Sequence, residues 1–176
     1  MRGILMYHSV DSSGSAISVS DEQFSRHVRF LASGRVRVVP LADLPSVPDD
    51  EDAVALTFDD GFRNFASTAA PMLADAGLPA TVFVVSGAAG RDNAWGGAAA
   101  PEIPVLPLMS WDEIASVATA GFEIGAHTRT HADLTRLPAA KAEEEMAGGA
   151  DDIAARLGRR PLRFAYPYGA TSPAVA

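Results

Sequence analysis

The stretch Val54-Ala55-Leu56-Thr57-Phe58-Asp59-Asp60-Gly61 decides how this chain is read. An unbroken apolar run, Val54 to Phe58, ends in two carboxylates and a glycine. A short run of this kind, closed by turn residues, is the pattern of a strand buried on both faces, as in a parallel sheet. Asp and Gly suit the turn that follows. Further on, Phe122-Glu123-Ile124-Gly125-Ala126 leads in the same way into His127-Thr128-Arg129-Thr130-His131. The chain has 4 histidines, and three of them, His8, His127 and His131, follow short apolar runs. In parallel α/β folds the functional groups gather at the C-terminal ends of strands.

Two imidazoles and one carboxylate form a good donor set for a borderline divalent metal such as zinc. The i, i+4 spacing of His127 and His131 is read as one helical turn, with both rings on the same side. The second carboxylate is left over and could serve as a general base. Alone, Asp-Asp-Gly is an ordinary solvated turn and His-x-x-x-His an ordinary helical pair. Their joint occurrence after two strand-like runs favours a site.

Around these anchors the chain alternates between two periods. Strands are expected at Ile4 to Tyr7 (short and buried), Arg35 to Val39, Val54 to Phe58, Ala80 to Val85, Phe122 to Ala126 and Arg163 to Tyr166. Helices are expected between them. Ser20 with Gln23, and Ser110 with Glu113, read as capping boxes that open two helices. Phe62 to Ala76 reads helical, with Pro71 opening or kinking its second half. Pro138 to Leu157 reads helical, interrupted by Gly148-Gly149, with Glu143-Glu144-Glu145 as a solvated face. Gly87 to Pro107 is a long Gly-, Ala- and Pro-containing connection. Trp95 on it is either a sugar-stacking platform or a pin for the loop. Alternating strands and helices imply parallel βαβ units. No repeat or linker divides the chain, so residues 1–176 are read as one domain.

With 176 residues, 48% hydrophobic and 20% charged, the composition is globular. A formal net charge of -8 argues against nucleic acid and anionic membranes as partners. The absence of cysteine excludes a disulfide framework and thiolate metal sites. Met1 to His8 has too short an apolar core for a signal peptide, and no run approaches membrane-spanning length.

Thr57-Phe58-Asp59-Asp60-Gly61 and His127 to His131 resemble the first two motifs of the polysaccharide deacetylases, the NodB-homology domain of carbohydrate esterase family four. Phe164-Ala165-Tyr166-Pro167-Tyr168-Gly169 resembles the third. Ile4-Leu5-Met6-Tyr7-His8-Ser9-Val10 is similar to the opening of a branch whose domain begins with a Tyr-His strand. The resemblance implies a distorted seven-stranded (β/α) barrel. Members usually continue beyond a sixth strand, so the barrel is expected to be C-terminally incomplete here. An unpaired strand edge would then invite self-association. The family works mostly at the cell envelope, and the compartment of this chain stays open.

The resemblance also implies roles. Asp60, His127 and His131 would hold a divalent metal, most simply zinc. Asp59 would be the base that takes a proton from water. The backbone N–H of Tyr168 would help to hold the oxyanion, with Trp95 and Tyr166 beside the sugar. Two departures stand out. Many members carry an Arg at the place of Ala165, and many carry a late Leu-x-His whose His is the general acid. The Tyr-His branch shares the first loss, and its N-terminal His fills the second role, which makes His8 the candidate acid. The implied reaction is metal-dependent removal of acetyl groups from an N-acetylated amino-sugar polymer or oligomer. A metal-dependent amidase on a small non-sugar substrate, and a non-catalytic carbohydrate-binding fragment, are the alternatives.

Overall fold

The computed structural model describes residues 1–95 and 102–175. Its centre is a parallel sheet. Strand β1 (Arg2–Tyr7) is followed by a two-residue pair outside the main sheet, β2 (Ser9–Val10) and β3 (Ser18–Val19). Helix α1 (Asp21–Ala32), β4 (Arg37–Val38), β5 (Ala53–Phe58), α2 (Ala70–Asp75), β6 (Thr81–Val84), α3 (Trp111–Thr119), β7 (Glu123–Ala126) and α4 (Ala139–Leu157) complete the order. The sheet runs β1-β5-β6-β7, and a parallel bridge from Ala126 to Phe164 extends it.

The distortion has a local origin in β5. On one side β5 pairs with β1 along its whole length, Arg2 with Ala53 through Tyr7 with Phe58. Its other side is divided. Ala53 and Val54 pair with β4, whereas Thr57 and Phe58 pair with β6. The sheet therefore forks along β5. All six residues of β5 are buried, as expected of a strand covered on both faces.

Local sequence set the helix starts. Both expected capping boxes form, Ser20 with Gln23 and Ser110 with Glu113. Phe24, Val28 and Leu31 put the apolar stripe of α1 into the core. The segment before α2 is a π-helical turn, Phe65–Ala69, that runs straight into α2, and Pro71 follows it after Ala70, where the widened turn accommodates the missing N–H. An aromatic spine runs under the sheet's C-terminal edge. Tyr7 stacks on Phe58 at 5.1 Å, Phe58 meets Phe65 at 4.7 Å, and Phe65 meets Phe122 at 5.4 Å. Such pairs contribute roughly 0.5–1.5 kcal/mol each beyond burial. Phe58 directly precedes Asp59, so the spine anchors the acidic turn.

Several expectations are corrected. The strand at Ile4 to Tyr7 is not buried: Ile4 is 54% and Met6 59% exposed, because β1 pairs with β5 on one side only among the described residues. Gly148-Gly149 does not interrupt α4, which is continuous from Ala139 to Leu157 and ends at Gly158 in the left-handed region. The strand at Arg163 to Tyr166 shrinks to the single bridge at Phe164. Within the long connection, residues 96–101 lie outside the described residues. No helix among those described is long and apolar enough to cross a membrane.

Candidate metal centre

The C-terminal ends of β1, β5 and β7 face one cavity of about 730 Å³. All eight side chains singled out from the sequence line it: His8, Asp59, Asp60, Trp95, His127, His131, Tyr166 and Tyr168. His8 leaves the end of β1, Asp59 and Asp60 the end of β5, and His127 the end of β7. The register explains the convergence. The N–H of Asp59 donates to the Tyr7 carbonyl at 2.9 Å, and that of His127 to the Val84 carbonyl at 3.1 Å. Neighbouring strands thus end level with one another.

Donor atoms of Asp60, His127 and His131 lie within 4.8 Å of one another, and all three residues are buried. Oδ1 of Asp60 is 3.4 Å from Nε2 of His127 and 3.1 Å from Nε2 of His131. Neither contact has hydrogen-bond geometry, and Oδ1 is the one buried side-chain polar atom among the described residues without a partner. Nδ1 of His127 lies 2.9 Å from the Ala165 carbonyl, which only accepts, so Nδ1 carries the hydrogen. In the neutral ring the lone pair is then on Nε2 and points at the carboxylate oxygen. Lone pairs aimed at each other in a buried site are repulsive without a cation between them. The donor set fits a divalent metal.

Without a metal, the same groups shift one another's protons. Burial pushes Asp60 towards the neutral form, but His127 and His131 outweigh it and hold the carboxyl below its ordinary range. Asp59 goes the other way: burial raises it, and His127 and His8 only partly oppose this. Burial also disfavours a charged His127, yet the carboxylates of Asp60 and Asp59 raise it. Two adjacent carboxyls are therefore driven apart, one firmly ionised and one more easily protonated.

The expected helical turn at His127 to His131 is not there. Residues 127 to 131 form an irregular loop. Thr128 and His131 have φ of 63° and 62°, and the Thr128 hydroxyl accepts from the His131 N–H at 2.9 Å. Left-handed backbone, not helical periodicity, brings the two rings together at 5.0 Å between centroids. Among the described residues the non-glycine positions with positive φ are Asp60, Trp95, Thr128, His131 and Tyr168. Four line the cavity, and the fifth, Thr128, holds the His131 N–H through its hydroxyl. Such conformations cost of order 1–3 kcal/mol each and persist where the surroundings enforce them.

Aromatic groups enclose His131. Trp95 stacks on its ring at 4.3 Å, and Tyr168 meets it edge-on at 4.7 Å. Nδ1 of His131 is 3.2 Å from the Tyr168 hydroxyl, to which it is hydrogen-bonded. A second groove of about 510 Å³ shares Trp95, His131 and Tyr168 with the main cavity and has Asp133 and Arg136 on its far wall. The Tyr166 hydroxyl donates to the Val175 carbonyl at 3.0 Å.

Sequence reading missed one group. Glu145, assigned to a solvated face, is half-buried and turns inward. Its carboxylate accepts from the N–H groups of Arg129 and Thr130 and from the Thr130 hydroxyl. The available signal was its spacing from Gly148, Gly149 and Asp152, which puts all four on one face of α4.

Comparisons with known proteins agree with this architecture. Residues 46–176 match the family model described as polysaccharide deacetylase. YxkH of Bacillus subtilis (strain 168), which carries the polysaccharide deacetylase name, is 28% identical over 171 residues, covering 94% of this chain and 56% of that protein. A chitin deacetylase of Pestalotiopsis sp is 27% identical over 135 residues, covering 76% of this chain and 40% of the relative. The chain therefore spans about half the length of these curated relatives or less. The solved structure of IcaB from Ammonifex degensii superposes with a TM-score of 0.83 at 26% identity, over 99% of this chain and 77% of that one. The family match spans most of the sequence and carries all three motifs that build the cavity, and the chain belongs to the polysaccharide deacetylase family.

Proposed function

We propose that the domain read over residues 1–176 removes acetyl groups from an N-acetylated amino-sugar polymer or oligomer, using a divalent metal held by Asp60, His127 and His131. The observation that carries this reading is the unpartnered, buried Oδ1 of Asp60 facing two imidazole Nε2 atoms at the floor of an open cavity. Zinc suits two nitrogens and one oxygen best. When bound, the metal supplies Lewis acidity and eases deprotonation of water.

The remaining roles fall to this chain's own side chains. Asp59, buried beside Asp60, takes a proton from the attacking water. The water oxygen bonds to the acetyl carbon, and the N–H of Tyr168 donates to the oxygen that becomes negative. His8, on the same rim, gives a proton to the leaving nitrogen as the carbon–nitrogen bond breaks. The products are acetate and a free amine. Trp95 and Tyr166 line the wall where a sugar ring would lie, and the adjoining groove past Trp95 and Tyr168 offers room for a further residue of a chain. This length of groove favours a sugar oligomer over a small amide. The exposed edge of β1, with Ile4 and Met6 uncovered, is the surface on which any self-association would rest, and sedimentation velocity over a concentration series checks it.

The deciding experiment measures acetate release from N-acetylglucosamine oligomers by the chelator-treated protein, with and without added zinc. Zinc-dependent release that grows with oligomer length is expected. Release unaffected by metal, or confined to small amides, would overturn the reading.

A further inference from the structure

We propose that α4 is the positioning element of the metal loop, through Glu145 and Asp152 acting on the residues between the two histidines. The inference rests on the proposed metal site. One face of α4 carries Glu145, Gly148, Gly149 and Asp152 at i, i+3, i+4 and i+7. Each of the four meets the segment Thr128 to Thr130.

Glu145 works on the backbone. Its Oε2 accepts from Thr130 N–H at 2.9 Å and shares the Arg129 N–H, at 3.0 Å, with the Glu145 carbonyl at 3.1 Å, and its Oε1 accepts from the Thr130 hydroxyl at 2.9 Å. Asp152 works on the side chain. Its two oxygens take Nε and Nη2 of Arg129 in a two-pronged pair, both at 2.9 Å, and Oδ2 also accepts from the Ser86 hydroxyl at 2.7 Å. Planar guanidinium and carboxylate in this arrangement fix direction as well as distance.

The glycines set how close the helix comes. A Cβ on Gly149 would lie 2.8 Å from the Thr128 carbonyl carbon, and one on Gly148 would lie 2.7 Å from Cζ of Arg129. At Gly149 the clash is with loop backbone, so no side chain fits there without moving the loop, whereas at Gly148 it is the Arg129 guanidinium that would have to shift. The need for such a brace is visible in the loop itself. Thr128 and His131 both hold left-handed backbone, which a free chain would leave. Packing against α4 supplies the constraint, so helix and loop together determine where Nε2 of His131 sits relative to Nε2 of His127.

Glu145→Ala, Glu145→Gln, Asp152→Asn and Gly149→Ala would be compared with Glu144→Ala, whose acid faces solvent and pairs with Lys141. Zinc affinity is read by chelator competition well below the melting temperature, beside the melting temperature of the metal-free protein. Glu145→Ala is expected to weaken zinc binding about 10- to 100-fold, the range for groups that orient metal ligands. Glu145→Gln, which keeps an acceptor oxygen, should recover part of it, and Glu144→Ala should change little. Gly149→Ala discriminates most sharply. Alanine is the better helix former, so a purely helical role predicts a higher melting temperature and unchanged zinc affinity. The brace predicts weaker zinc binding. Unchanged affinity in both Glu145→Ala and Gly149→Ala would overturn the proposal while leaving the metal site intact. Wild-type protein that binds no zinc would overturn the metal site, and the brace with it.

Discussion

The carbonyl oxygen of Ala165 accepts a hydrogen bond from Nδ1 of His127 at 2.9 Å. These residues are 38 positions apart, and the bond is made because the Phe164 bridge lies against Ala126 at the end of β7. The bond decides which ring nitrogen faces Asp60. The sequence at position 165 matters little for this, because the backbone does the work. The absence of an arginine there leaves the histidine's orientation untouched. Asp59 keeps a raised affinity for its proton by burial, with His127 and His8 opposing.

The two carboxylates should separate in mutagenesis. Asp59→Asn is expected to lower turnover by about 100-fold or more with zinc affinity nearly unchanged, as loss of a general base should. Asp60→Asn is expected to weaken zinc binding instead. Zinc titration beside steady-state acetate release checks both, and reversed phenotypes would exchange the roles.

His8 lines the cavity at the end of β1, on the rim that carries Asp59. His8→Ala should reduce turnover about 100-fold, the scale of general acid catalysis, and leave zinc binding and the melting temperature close to wild type. An activated substrate whose leaving group needs no proton should recover much of the loss. Equal losses on both substrates would remove His8 from proton transfer.

The Tyr168 side chain is 68% exposed, yet its hydroxyl reaches Nδ1 of His131. Tyr168→Phe removes that partner and keeps the ring. Zinc affinity is expected to fall by roughly tenfold, at the low end for an outer partner of a metal ligand, with the melting temperature of the metal-free protein unchanged. Zinc affinity equal to wild type would confine Tyr168 to its backbone role.

Asp152 is held below its ordinary carboxylate range, chiefly by its hydrogen bond from Arg129, with burial opposing. A depressed folded pKa contributes stability that is present above the unfolded value, about 3.9, and is lost as pH falls through the folded value. Asp152→Asn should therefore melt a few degrees lower than wild type at pH 7. The gap should close as pH drops below about 4. Melting curves from pH 7 to pH 2.5 check the sign, and a gap that widens in acid would contradict it.

Much of this protein was legible from residue types alone. Apolar runs ending in Asp59-Asp60 and His127 located two strand ends and their donors. The capping boxes at Ser20 and Ser110 located two helices, because both signals are local and act within a few residues. Other features had no local signal. The spacing of His127 and His131 suggested a helix, but the chain turns left-handed at Thr128 and His131. The Thr128 hydroxyl closes that turn by accepting from the His131 N–H, and Gly149 of α4 lies close against Thr128. Gly148-Gly149 looked like a break in a helix and is the contact surface of an unbroken one. Glu145 looked solvated because it closes an acidic run, Glu143-Glu144-Glu145, yet only its first two members are exposed. The sequence by itself determined the donor chemistry and the order of strands and helices, since composition and periodicity carry both. Only the tertiary structure decided the sign of φ at Asp60, Thr128, His131 and Tyr168, the tautomer of His127 and the inward turn of Glu145. Each of these depends on groups brought together across long stretches of chain, where close packing outweighs local preference.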